Sequence, residues 1–170
     1  MIATIIFVVF PFAMIYAALS DILTMTIANR ISLLLIGAFV LVSPFIGLTW
    51  EQFAWHWAAF ALVLTVTFGL FAAGVMGGGD AKLMSSTALW IGFNMHLLDY
   101  AIAFTVAGGV LTLMLVILRN SAFATYVGEI RVLWRMLDEK DIPYGVALAI
   151  GGLVVFPETA AMQWAIAQTL

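Results

Sequence analysis

Asp21 ends the first uncharged run of the sequence, and Asp80 follows three glycines at the end of a longer one. The second stretch reads Val75-Met76-Gly77-Gly78-Gly79-Asp80-Ala81-Lys82-Leu83-Met84. A charged side chain at membrane depth costs at least ~2.5 kcal/mol. A glycine inside a helix costs roughly 1 kcal/mol against alanine. A chain that bears both costs at one place needs an acid there, with free backbone around it. Two carboxylates that approach closely share one proton, because ionising both is unfavourable. The ionised member can take a proton from a water that attacks an amide carbonyl. The protonated member can donate to the carbonyl oxygen or to the leaving amine. This is aspartic protease chemistry, and it needs no thiol, serine or metal.

The elements that would hold such a pair are membrane helices. Hydrophobic residues make up 65% of the 170 positions, mean hydropathy is +1.18, and only six residues are basic and nine acidic. Such a composition predicts an all-α, polytopic membrane helix bundle, with the bilayer as its solvent. The length fits one transmembrane domain over 1–170. The net charge of −3 argues against nucleic acid as a partner. Without cysteine there is no disulfide, thiol nucleophile or Cys-based zinc site. His56 and His96 stand alone among apolar neighbours and read as packing or interface histidines, so no metal and no cofactor is expected. Residues 1–20 lack a basic leading region and an Ala-x-Ala cleavage site, so they read as a first span that is retained.

Charges cut the chain into blocks. Uncharged or nearly uncharged runs cover 1–20, 31–50, 52–79, 83–98, 100–118 and 142–157, which predicts about six spans. A span needs ~20 residues, so the fourth and sixth are short, and Asp80 to Lys82 would form the first turn of the fourth. The tail from Glu158 to Leu170 reads as a short helix at the far interface. With the N-terminus outside, the 21–30 link, the glycine loop and segment 119–141 all lie inside. All six basic residues, Arg30, Lys82, Arg119, Arg131, Arg135 and Lys140, fall in those three places. Segment 119–141 carries Phe123, Val127, Ile130, Trp134 and Leu137 at helical spacing, which predicts an amphipathic helix on the cytoplasmic membrane surface.

This topology puts Asp21 and Asp80 at the same membrane border. The glycines would then let an extended peptide approach Asp80 and let the chain turn sharply into the fourth span. The amides at that helix start also favour a negative charge at Asp80. A structural reading fits the glycines as well: Gly74 and Gly78, four apart, could form a small-residue helix contact, with Asp80 a simple N-cap.

Three stretches together resemble the prepilin peptidase family of GxGD membrane aspartic proteases. Gly77-Gly78-Gly79-Asp80 with Lys82 is similar to that family's GxGDxK pattern. Ser20-Asp21, followed by Ile27-Ala28-Asn29, resembles its first-aspartate motif, with Ala28 where proline is usual. Ile142-Pro143-Tyr144-Gly145 resembles the start of its last span. The resemblance implies an enzyme that removes the short basic leader of type IV pilin precursors at the cytoplasmic face of the bacterial inner membrane. It implies Asp21 and Asp80 as the catalytic pair. The partner would be a prepilin-like precursor with a single hydrophobic helix. The absence of cysteine and the short link from Asp21 to Asn29 are similar to the short form that processes Flp-type pili, and N-methylation is not expected.

Supporting positions are Gly77, Gly78, Gly79, Lys82, Asn29, Pro143, Tyr144 and Gly145. Lys82 lies about 200° around a helix from Asp80 and reads as a positive-inside anchor. Asn29 reads as the N-cap of the second span. Tyr144 could hydrogen-bond a carboxylate or substrate backbone, or serve as an interface tyrosine. Pro143 fits a first helical turn. The other function classes are a proton- or ion-coupled transporter and a non-catalytic subunit of a secretion machine. Border carboxylates and the lack of an inverted repeat weigh against transport.

Overall fold

A computed structural model describes residues 1–120 and 142–169. The amphipathic helix expected over 119–141 falls, from 121 onward, outside the described residues. Among the described residues there are seven α-helices and no strand. They are α1 (Ile2–Thr24), α2 (Asn29–Val42), α3 (Trp50–Ala72), α4 (Gly78–Ile91), α5 (Met95–Arg119), α6 (Tyr144–Val155) and α7 (Ala160–Ala167).

α1, α3 and α5, of 23, 23 and 25 residues, are each long and apolar enough to cross a membrane. α6, continued by the 3₁₀ turn Phe156–Glu158, and α7 reach that measure only as a pair, bent by 49° at Thr159. By length and composition, three or four candidate spans are found among the described residues. α2 and α4, with 14 residues each, are roughly 21 Å long. α4 can be short because it faces protein: Ala81, Leu83 and every residue from Ser85 to Ile91 are buried. The large apolar side chains left exposed, such as Leu41, Phe68, Val106 and Val110, lie on the outer helices, where a bilayer solvates them.

Helix ends follow caps and not charges. Thr49 and Gln52 form a capping box at the start of α3. The end of α3 is a Schellman motif. Val75 N–H donates to Leu70 O and Gly74 N–H to Phe71 O, both at 2.9 Å, with Gly74 at φ +72°. Gly74 is thus a turn residue, with nothing within 4 Å of a Cβ placed on it, and the proposed Gly74–Gly78 packing contact is not formed. Asp99 was expected to separate the fourth and fifth runs. The break lies instead at Gly92 (φ +83°) and at Asn94, whose side chain caps α5, and Asp99 sits inside α5 against His96.

α4 packs on α2 and α3, and α6 fits between α1 and α5. In apolar surroundings each hydroxyl needs an internal partner. Ser85, Ser86 and Thr87 donate to the carbonyls of Ala81, Lys82 and Leu83, one turn back. Trp90 Nε1 donates to Leu35 O at 2.9 Å, and His56 Nδ1 lies 2.7 Å from Leu89 O. These bonds tie α4 to α2 and α3. On the other side, Gly151 lies so close to Phe104 that a Cβ would come within 2.9 Å of its backbone nitrogen. Small residues of this kind let membrane helices approach closely. The end of α4 is thus tied to α2 and α3, while α6 packs closely on α5.

Candidate active site

Asp21 stands in the last turn of α1, buried to 6% exposure. Helix α1 stops three residues later, with Met25 in the left-handed region at φ 51°. Ser20 Oγ donates to Thr26 O at 2.9 Å and folds the following loop back over the helix end. The loop delivers Ile27 into the protein, where it is 8% exposed.

Ile27 is the spacer of the site. A Cβ on Gly79, in α4, would lie 3.0 Å from Ile27 Cβ and 3.3 Å from its backbone. A Cβ on Gly145, in α6, would lie 2.8 Å from Ile27 Cδ1 and 2.8 Å from Asp21 Oδ2. The starts of α4 and α6 thus close on the α1–α2 loop with no room for a side chain at either glycine. Gly145 N–H donates to Asp21 Oδ2 at 2.7 Å. Pro143 is the N-cap of α6 and sits just before that bond.

Asp80 is the third residue of α4 and is half-buried. The N-cap is Gly77, not Asp80, and Asp80 Oδ2 lies over it, 3.0 Å from where a Cβ would stand. Gly78 faces the ring of Phe71. Each glycine of the run therefore has its own neighbour: Asp80, Phe71 and Ile27 in turn. The expectation that Gly79 opens a path to Asp80 is corrected, because Gly79 packs against Ile27.

Asp21 and Asp80 line one cavity of about 500 Å³, together with Met25, Met76, Gly77, Ile142 and Tyr144. Tyr144 is 40% exposed, and its ring rests on Gly108 of α5, where a Cβ would meet it at 3.0 Å. Its placement on the cavity wall leaves it facing whatever enters.

Two supporting residues lie elsewhere. Lys82 Nζ donates to Asn29 Oδ1 at 2.9 Å, and neither residue lines the aspartate cavity. Asn29 is not the N-cap of α2. That position is Ala28, in extended backbone, and the Asn29 side chain is used by Lys82. Sequence reasoning did not find the Gly145–Asp21 bond or the spacer role of Ile27. No local pattern links residues 124 positions apart.

No curated protein and no solved structure shows significant similarity to the chain. The sequence profile of the type IV leader peptidase family matches residues 8–126. The matched region contains both aspartates, the glycine run and the Ile27 loop, whereas Pro143, Tyr144 and Gly145 lie beyond it. With most of its length matched and its two acids lining one cavity, the chain belongs to the type IV leader peptidase, or prepilin peptidase, family.

Proposed function

We propose that this protein is an aspartic endopeptidase. In this reading it removes the short leader of type IV, Flp-like prepilins or pseudopilins at the cytoplasmic face of the inner membrane. The observation that carries the proposal is the single cavity lined by Asp21, Asp80 and Tyr144. In this reading a water molecule sits between the two acids. Asp21, held by the Gly145 N–H, takes a proton from the water as its oxygen attacks the scissile carbonyl carbon. Asp80 gives its proton to the carbonyl oxygen, and a tetrahedral intermediate forms. The carbonyl reforms and returns that proton to Asp80. The proton on Asp21 passes to the leaving nitrogen as the C–N bond breaks. One proton remains on the pair at the end, as at the start.

The proposed setting is a single transmembrane domain of about six spans. α2 and α4 are short crossings shielded by neighbours, α6 and α7 form one bent crossing, and the N-terminus is outside. Arg30, Lys82 and Arg119 then share the inner side. The precursor's hydrophobic helix would stay in the bilayer while its leader junction enters the cavity. The product would carry a free, unmethylated amine.

Co-expression with a small precursor bearing a basic leader, a glycine and one hydrophobic helix tests this reading. The expected result is a shortened product whose mass matches loss of the leader alone. An intact precursor with the enzyme present in the membrane contradicts it.

A further inference from the structure

On the far side of α4 from the aspartates lies a second cavity, of about 390 Å³, between α2 and α3. α2 and α3 each pack along α4. They meet each other through Phe39 against Phe53 and His56, at the end remote from Asp80. Towards the aspartate border the space between them is this groove.

Its lining is graded along the membrane normal. Asn29, the first residue of α2, and Lys82, the fifth of α4, stand at the border. Ser32 comes one turn deeper, about 4.5 Å further along α2. Deeper still the walls are Ile36, Leu64 and Phe60. Leu33, 67% exposed, forms the lip, so the groove opens sideways to the bilayer.

Two groups here lack what a closed site would give them. Among the described residues Lys82 has no carboxylate partner, and its ammonium meets only the neutral Asn29 side chain. Ser32 is 6% exposed, and its hydroxyl has no hydrogen-bond partner among the described residues. A buried hydroxyl without a partner is unfavourable. A cation at the border, a free donor one turn in and apolar walls beyond match one ligand in order: phosphate, ester carbonyl, acyl chain.

We propose that this groove binds one anionic phospholipid, with its phosphate on Lys82 and Asn29, an ester carbonyl on Ser32, and an acyl chain along Ile36, Phe60 and Leu64. The site does not depend on the peptidase reading, since Lys82 and Asp80 point to opposite faces of α4. A bound lipid would brace α2 against α4.

Native mass spectrometry of the purified protein in neutral detergent tests the site, with phosphatidylglycerol, phosphatidylcholine and soluble glycerol phosphate each added separately. The expected result is one tightly retained phosphatidylglycerol, and no such retention of phosphatidylcholine or glycerol phosphate. Lys82→Gln should weaken retention about tenfold, the size of one charge-assisted hydrogen bond. Arg30→Gln makes the same charge change on an exposed residue outside the groove and should leave it intact. Leu33→Trp, which blocks the lip, should remove it even if the Lys82 variant cannot be purified. Equal retention of the two lipids overturns the proposal, as does equal loss in the Arg30 and Lys82 variants. Equal binding of glycerol phosphate would make this a free-anion site and also overturn it.

Discussion

The backbone N–H of Gly145 donates to Asp21 Oδ2 at 2.7 Å, joining the first turn of α6 to the last turn of α1 across 124 positions of sequence. The bond fixes one carboxylate oxygen of a residue that lines the cavity shared with Asp80. Helix α6 is therefore part of the site, although its own side chains supply only Tyr144.

Gly145→Ala tests that relationship. The added Cβ would stand 2.8 Å from both Asp21 Oδ2 and Ile27 Cδ1, so the carboxylate or the helix must move. Misplacing a reacting group by about 1 Å can cost on the order of 100-fold in rate. The expected outcome is normal membrane insertion with precursor turnover down at least about tenfold. Wild-type turnover would show that α6 does not position Asp21.

Gly79 and Gly77 should respond differently. At Gly79 a side chain meets Ile27 Cβ and backbone, neither of which can swing away. At Gly77 it meets only the far end of the Asp80 side chain. Gly79→Leu should abolish cleavage with the protein still inserted, and Gly77→Ala should only reduce it. Blotting of membranes alongside the precursor gel shift reads both. Normal processing by Gly79→Leu would mean that the α1–α2 loop need not be held against α4.

The pH profile follows from the shared proton. In the proposed mechanism the active pair holds one proton on two carboxylates. Below the first ionisation both are protonated and no base exists. Above the second both are ionised and no acid remains. Turnover in liposomes should rise and then fall with pH, and both limbs belong to the pair. A rate that climbs to a plateau without falling would leave only a base in play.

The topology makes a separate prediction. Reporter fusions after Asn120 should read as cytoplasmic, and fusions after Trp50 or His96 as external. A cytoplasmic signal at Trp50 would reverse the orientation proposed for the aspartate cavity.

The helices were legible because apolar runs and scarce charge leave few other structures in a membrane. The expectation that Asp21 and Asp80 meet rests on the parity of the charge-defined runs, and the two residues do line one cavity. What was not legible has particular causes. Charge marks the water interface and not the helix end, so the break at Gly92 was assigned to Asp99. Asn29 is of a type that suits a cap, yet Lys82 claims its oxygen. Gly79 was given to the substrate's path because a glycine beside an acid suggests access. Its true neighbour, Ile27, comes from a loop 52 positions away that only tertiary packing brings there. The length of α4 was judged against a bilayer, whereas most of its surface meets protein.

The most direct measurement compares Asp21→Asn, Asp80→Asn and the double variant on one co-expressed precursor. Asparagine is nearly isosteric with aspartate but cannot exchange the proton, so each change removes half of the pair and leaves no cavity. Because the two acids act as a unit, the double variant should be no worse than either single one. The account predicts intact precursor in all three, with enzyme levels unchanged by blotting. Near-normal maturation by Asp21→Asn would contradict the two-carboxylate mechanism, even if Asp80 proved essential.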